Sequence, residues 1–513
     1  MKSEQNTLAW QLYETGKEYK RRMGLYTTVR QNEKFYRGEQ WKASGDGLPR
    51  PVFNVVRRIT DYLVGSVAPD NPSIHYTDDR LPFLDVASVR ERVLEGISLL
   101  NRNADYRWTQ NRMGELSQRA LLDAAITGDG IFYCWWDDSC DCGQPFCGDI
   151  RTELIPGLCF FPADPYRADV QSQDYILLSG RATVESLRRE AIEAGMDPAE
   201  ADKISSDNDV DAAPAERDLP GGVKRATYLL RFWREGGEVV FEKSTRTHVI
   251  RRSATGLRLY PVAAFNWYPT QGSFHGTSPV SEILPNQKYI NSAYAMIMKH
   301  MSDTAFSKII YDKSRIPEWS NEVGEAIAAM GGGSVSDAVA VVGVGQLQEG
   351  YLELIDSVID NTKSMLGATD SALGDERANN TSAILALQQA SQVALRGVGA
   401  RFERCIGELA SIWADMLCTY SHPERMIPVM EGGEVVARRV DYKLLRRELL
   451  HATAEAKGND RFTPAATVSV LDHLLDAGHI TIEDYLRHLP DGCLGDKNAL
   501  IQSIAQKGES GHV

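Results

Sequence analysis

Apolar residues over positions 6–38 recur at helical spacing: Leu8, Leu12, Tyr19, Met23, Tyr26 and Phe35 stand among many charges, which predicts one long, solvent-flanked helix. A turn-rich stretch follows at 44–51, and VFNVVRRITDYLVG predicts a second helix ending at Gly65. The same period returns over 83–127. From Gly128 it changes to short strand-like runs (IFYCWW, TELIPG, YILLSG, ATYLLRFWR, EVVFEK and THVIRR) punctuated by Gly, Pro and Asp. The first 270 residues therefore read as helices followed by a strand-rich α+β region.

Ser278 with Pro279 marks the start of another helix, since a hydroxyl can cap the free N–H groups and proline suits the first helical position. This helix places Asn286, Gln287 and Asn291 within little more than one turn, a polar patch that a monomer core would not tolerate without partners. AMGGGSVSDAVAVVGVGQ reads as turns and short strands. Residues 351–367 read as a helix, and ATDSALGDERANNTS as a polar break. An apolar stripe through Leu387, Leu395, Val398, Phe402, Ile406, Leu409, Trp413 and Met416 predicts a helix of about 39 residues, roughly 60 Å long, kinked near Gly397 and Gly399. A strand-like segment (MIPVMEGGEVVARRV) and a helical tail over 441–507 complete the pattern.

Charge changes the picture more than composition does. The chain has 513 residues, 56 Lys+Arg and 70 Asp+Glu, a net charge of −14 that argues against a basic-patch DNA binder. Residues 1–60 run the other way, with 12 basic and 6 acidic side chains. Between Arg315 and Lys363 there is no Lys or Arg, whereas Glu318, Glu322, Glu325, Asp337, Glu349, Glu353, Asp356 and Asp360 all fall inside. Such a surface would repel nucleic-acid phosphate. The acidic block 185–218 reads as a solvated face. No apolar run is long enough for a membrane span, and the N-terminal residues lack the apolar segment of a signal peptide, so a cytoplasmic assembly site is expected.

Five of the eight cysteines crowd together at Cys134, Cys140, Cys142, Cys147 and Cys159. Zinc at Cys134, Cys140, Cys142 and Cys147 is one reading, although the C-x-C-x4-C run only approximates a zinc knuckle; a cysteine-containing hairpin tip is the other. No cofactor is otherwise expected. The chain lacks a phosphate-binding G-x4-G-K-[ST] loop, a G-x-S-x-G elbow and an H-E-x-x-H helix, and His75, His248, His275 and His300 read as structural or surface groups. No catalytic constellation emerges, so an enzyme is not expected.

Three segments carry a family resemblance. NEKFYRGEQW (32–41) followed by RPVFNVVRRITDYLVG (50–65), then HGTSPVSEILPNQKYIN (275–291), and then GDERANNTSAILALQQ (374–389) resemble, in order, stretches of tailed-bacteriophage portal proteins, with Ser382-Ala383 in place of the more usual Ser-Gly. The resemblance implies an α+β portal fold assembled as a ring of twelve copies. It would have a wing (1–270, helical and then strand-rich, with a long kinked helix and strands at 383–440), paired stem helices (271–310 and 351–367), a small α/β clip (311–350), a tunnel loop (368–382) and a helical crown (441–513). Asn286, Gln287 and Asn291 would then meet a neighbouring subunit. Asp370, Asp375, Glu376, Arg377, Asn379 and Asn380 would line the DNA channel, and Glu318, Glu322, Glu325, Asp337, Glu349 and Glu353 would form acidic walls of clip and stem. Implied partners are further copies of the chain, dsDNA held without sequence preference, the terminase large subunit, a head-completion or adaptor protein, and the major capsid and scaffolding proteins. The implied location is the portal vertex of the virion, and the implied role is a passive conduit for packaging and ejection. Two readings of other classes remain: a scaffold or head-completion protein without a channel, and a metal-dependent nucleic-acid enzyme.

Overall fold

The computed structural model describes residues 6–42, 49–68, 73–78, 81–83, 86–209, 211–212, 223–304, 308–320, 322, 326–342, 350–368, 395–431, 434–445, 453–457 and 464–489. The chain divides into a larger unit, residues 1–68 and 74–455, and a smaller one, residues 69–73 and 456–513. The class is mixed α+β, as the sequence indicates.

The larger unit begins with α1 (Leu8–Arg22) and α2 (Leu25–Arg37), where the sequence reads as one helix. The break falls at Gly24, whose φ of +70° suits glycine and interrupts the helical ladder. Next come α3 (Val55–Val67), capped by the Asn54 side chain accepting from Arg57 N, and β1 (Ser73–Thr77). The helical stretch before Gly128 is likewise two helices, α4 (Ala87–Gln110) and α5 (Met113–Thr127), separated where Arg112 takes a φ of +50°.

The long hairpin of β2 (Asp129–Asp141) and β3 (Cys147–Leu154) follows, then β4 (Phe160–Pro162), β5 (Tyr175–Thr183), α6 (Val184–Glu193) and α7 (Pro198–Ala201). After them come β6 (Arg225–Glu235), β7 (Glu238–Ser244), β8 (Val249–Ala254) and β9 (Val262–Asn266). Two antiparallel sheets result, one in the order β3-β2-β9 and one in the order β4-β5-β6-β7-β8. Helix α1 covers one face of the five-stranded sheet, burying Ala9, Trp10 and Tyr13 against Phe161, Leu177 and Leu229. On the opposite face, Leu187 and Ala191 of α6 and Ala201 of α7 pack with Ala226 and Ile250. Strand alternation separates these two apolar sets.

The rest of this unit is α8 (Pro279–Thr304), a two-stranded pair of β10 (Lys308–Tyr311) and β11 (Val339–Val342), α9 (Gly350–Met365), α10 (Arg396–Tyr420) and a hairpin of β12 (Met426–Glu431) and β13 (Glu434–Arg439). Helix α10 lies across β9 and β2, with Phe402, Ile406, Leu409 and Trp413 buried along it. The stripe from Leu395 to Met416 is this helix; residues 382–394 of the 39-residue reading, Leu387 among them, lie outside the described residues. In the smaller unit, helices Pro464–Asp476 and Ile482–His488 are joined by a bond from Tyr485 OH to Asp472 Oδ1 at 2.7 Å.

Candidate assembly and channel surfaces

The root of α8 is fixed by polar groups reaching from distant segments. Ser278 Oγ accepts from Val280 N at 3.0 Å and donates to the Ala125 carbonyl at 2.6 Å, so the predicted cap also ties the helix to α5. Just upstream, the buried Asp129 carboxylate accepts from Asn266 Nδ2 and Gly276 N, both at 2.8 Å, and sits 2.6 Å from His275 Nδ1. His275 is therefore a structural group, as read from the sequence. Gly128 and Gly276 cross here so tightly that a Cβ on Gly128, whose φ is +103°, would collide with the Gly276 carbonyl.

Two turns into α8, the amide patch finds its partners in the same chain. Gln287 Oε1 accepts from Val55 N at 3.0 Å and Val56 N at 3.2 Å, while Nε2 donates to Phe53 O at 2.8 Å and Asn291 Oδ1 at 2.9 Å. Asn291 Nδ2 donates to Gln40 Oε1 at 2.7 Å, and Gln40 Nε2 donates to Phe35 O and Asn54 Oδ1. Asn286 Nδ2 donates to Thr362 Oγ1 of α9 at 2.9 Å. Gln287 and Asn291 are buried, so the neighbouring-subunit partners expected for them are replaced by partners from 40–56. The physical reason is that the free N–H groups opening α3 need acceptors, and Gln287 supplies one. Two segments that carry the resemblance, 32–65 and 275–291, thus meet in one buried amide network. Separately, Asn32 of α2 donates to Ile126 O and Ser281 Oγ, each at 2.8 Å, tying α2 to α5 and α8. Gln40 and Asn32 escaped the sequence reading, though both lie within its quoted motif; two amide-bearing motifs far apart in sequence were the available signal.

Helices α8 and α9 pack through Ala293, Ile297 and Ile355, with Tyr294 and Ile359 beside them. Much of the pair's apolar surface has no cover: Met296, Met301, Tyr351, Leu352 and Leu354 keep between 47% (Leu352) and 60% (Met296) of their surface exposed. Among the acidic candidates, Glu318, Glu322, Asp337 and Glu353 are exposed, and Asp356 and Asp360 with them. Glu325 and Glu349 lie outside the described residues, as do all the channel-loop candidates Asp370, Asp375, Glu376, Arg377, Asn379 and Asn380.

The cysteines occupy a hairpin, and the register keeps them apart. Cys134 lies deep in β2 opposite Thr152, its Sγ 3.5 Å from Thr152 Oγ1, and burial pushes its thiol up to about 12. Cys140, Cys142 and Cys147 are at the hairpin tip. Asp141 pairs with Cys147, so Cys147 takes the face of Asp141 while its neighbour Cys140 takes the other. Among the described residues no three His, Cys, Asp or Glu side chains come together as a metal would require. Cys140, Cys142 and Cys147 thus stand at the tip of the β2–β3 hairpin, and Cys134 lies away from them within β2.

Three buried cations, Lys20, Arg107 and Arg425, were invisible in sequence. Lys20 of α1, 1% exposed, donates to the carbonyls of Gly157, Leu158 and Phe160 at 3.1, 2.8 and 2.6 Å. Burial lowers its ammonium to about 7, against the opposing attraction of Cys159 and Asp129. Arg107 and Arg425 both approach the single carboxylate of Asp149, Arg107 in direct contact and Arg425 at 3.6 Å. That network fastens α4, β3 and the turn before β12 together.

Residues 252–440 match the family model described as Phage P22-like portal protein, a span running from β8 through α8, α9 and α10 to the end of β13. The resemblance read from the sequence is thereby borne out as that of a tailed-phage portal protein, and the match supports a phage portal role. No curated protein matches the chain. Among the described residues no helix is long and apolar enough to cross a membrane.

Proposed function

We propose that this chain is the subunit of a portal ring at one capsid vertex, a conduit through which dsDNA is packaged and ejected and a platform on which terminase and head-completion proteins dock. The observation that carries the proposal is the α8–α9 pair. It falls inside the matched span, and it leaves Met296, Met301, Tyr351, Leu352 and Leu354 uncovered in the single chain. Exposed apolar residues on both helices of a packed pair suit a surface that a partner covers, and closed symmetric rings of identical copies provide such cover repeatedly. In this reading α8 and α9 are the stem, 311–350 is the clip, and 368–382 is the tunnel loop. Residues 1–270 with 383–440 form the wing and 441–513 the crown.

The charge pattern suits a conduit. Glu318, Glu322 and Asp337 are exposed in a stretch without a Lys or Arg. An acidic wall repels phosphate, so DNA slides along it instead of adhering. The amide network and the Asp129 junction hold α8 at a fixed angle to the wing, which a ring of identical stems requires. Removing this chain from the virus that encodes it tests the role: the proposal expects capsid shells without DNA. DNA-filled heads formed in its absence would refute it.

A further inference from the structure

Two charged stripes on the larger unit match in pitch and oppose in sign. On α2, Arg30, Lys34 and Arg37 are exposed at intervals of four and three, on the side away from buried Val29, Asn32 and Phe35. On α9, Glu353, Asp356 and Asp360 are exposed at intervals of three and four, away from buried Ile355 and Thr362. Each stripe spans seven residue steps, about 10 Å of helix. Both border exposed apolar groups. Exposed Val52 stands 3.9 Å from where a Cβ on Gly38, at the end of α2, would lie, and exposed Leu352 and Leu354 flank the acidic stripe. Asp360 has an ion pair within its own helix, to Lys363 at 3.5 Å, whereas among the described residues Glu353 and Asp356 have none.

We propose that the acidic stripe of α9 in one copy of the chain docks on the basic stripe of α2 in the next, so that these six side chains set the register between neighbouring subunits. The inference rests on the ring reading and adds which faces meet. Charge complementarity of this kind fixes orientation and speeds encounter more than it adds affinity, while the bordering apolar groups supply the buried area. A nucleic-acid backbone is the other polyanion that the α2 stripe could hold. It is the weaker occupant, because three cations neutralise few phosphates and the chain as a whole carries −14. It would also leave the α9 stripe without a counterpart.

The test is a charge swap read by sedimentation velocity at low and moderate salt. One variant carries Arg30→Glu, Lys34→Glu and Arg37→Glu, a second carries Glu353→Lys, Asp356→Lys and Asp360→Lys, and a third carries all six. Circular dichroism checks the fold of each, and the milder Arg30→Gln, Lys34→Gln, Arg37→Gln variant stands in if a reversal fails to fold. The expected result is that each single-stripe variant needs at least about tenfold more protein to assemble than wild type, and that the six-residue variant assembles like wild type. Assembly of the single-stripe variants at wild-type concentration would overturn the proposal, and so would failure of the combined variant to recover. An α2 variant that assembles normally but loses dsDNA on a filter would reassign that stripe to nucleic acid. Wild-type chain that never assembles would remove the ring reading itself, an outcome distinct from the others.

Discussion

Replacing Gln287 by methionine separates a role inside the chain from a role between chains. The side chain makes four hydrogen bonds: it accepts from Val55 N and Val56 N and donates to Phe53 O and Asn291 Oδ1, at distances between 2.8 and 3.2 Å. Methionine keeps the volume within the tolerance of such cores, so the cavity contribution is small. What remains is the desolvation of groups left without partners, about 1–3 kcal/mol for each buried one. Val56 is buried, Val55 is half-buried and water can reach it in part, and Asn291 keeps its bond to Gln40. The sum is about 2–5 kcal/mol, a large share of the ~5–15 kcal/mol that usually holds a domain. Urea unfolding of the unassembled chain, followed by tryptophan fluorescence, should show the midpoint fall by a corresponding amount. If the partners lay on a neighbouring copy, the unassembled chain would unfold like wild type and only assembly would suffer. That result would refute the intrachain account.

Three further predictions follow from the buried charges and thiols. Asp149→Asn leaves the Arg107 and Arg425 guanidiniums facing each other without a counter-charge, and should cost about 3–5 kcal/mol in the same urea assay; an unchanged midpoint would show that the carboxylate is not needed there. Lys20 has a folded value of about 7 against 10.5 when unfolded. Between those values the unfolded chain binds a proton that the folded chain does not, so the stability of wild type relative to Lys20→Met should rise with pH across pH 7–10, by at most about 1.4 kcal/mol per unit. A flat or falling difference would contradict the burial argument. Iodoacetamide should label exposed Cys147 first and leave buried Cys134, Cys159 and Cys405 unmodified in the folded chain, which peptide mass spectrometry can read; early labelling of Cys134 would contradict its place in β2.

What the sequence made legible was the part governed by local rules. Ser278 and Pro279 announced α8, the change from helical to alternating period announced β2, and GGG with β-branched neighbours announced the turns and the short strand β11. Breaks that depend on one backbone angle were hidden: nothing in the apolar spacing distinguishes a helix through Met23–Gly24 from two helices that meet there. The amide patch was recognised as needing partners, but which partners is a tertiary fact. Gln40 and the start of α3 lie more than two hundred residues away in sequence. Lys20 reads as one more surface charge in a basic helix until α1 folds onto Gly157–Phe160. The cysteines looked convergent because they are close in sequence, whereas strand register assigns neighbours to opposite faces.

Electron microscopy of the purified chain, with end-on class averages, tests the central claim most directly. The account predicts closed rings of identical subunits around a central hole, with the α8–α9 pairs gathered along the channel and their apolar surfaces covered. A homogeneous monomer or small dimer, unchanged across protein concentration and salt, would contradict it.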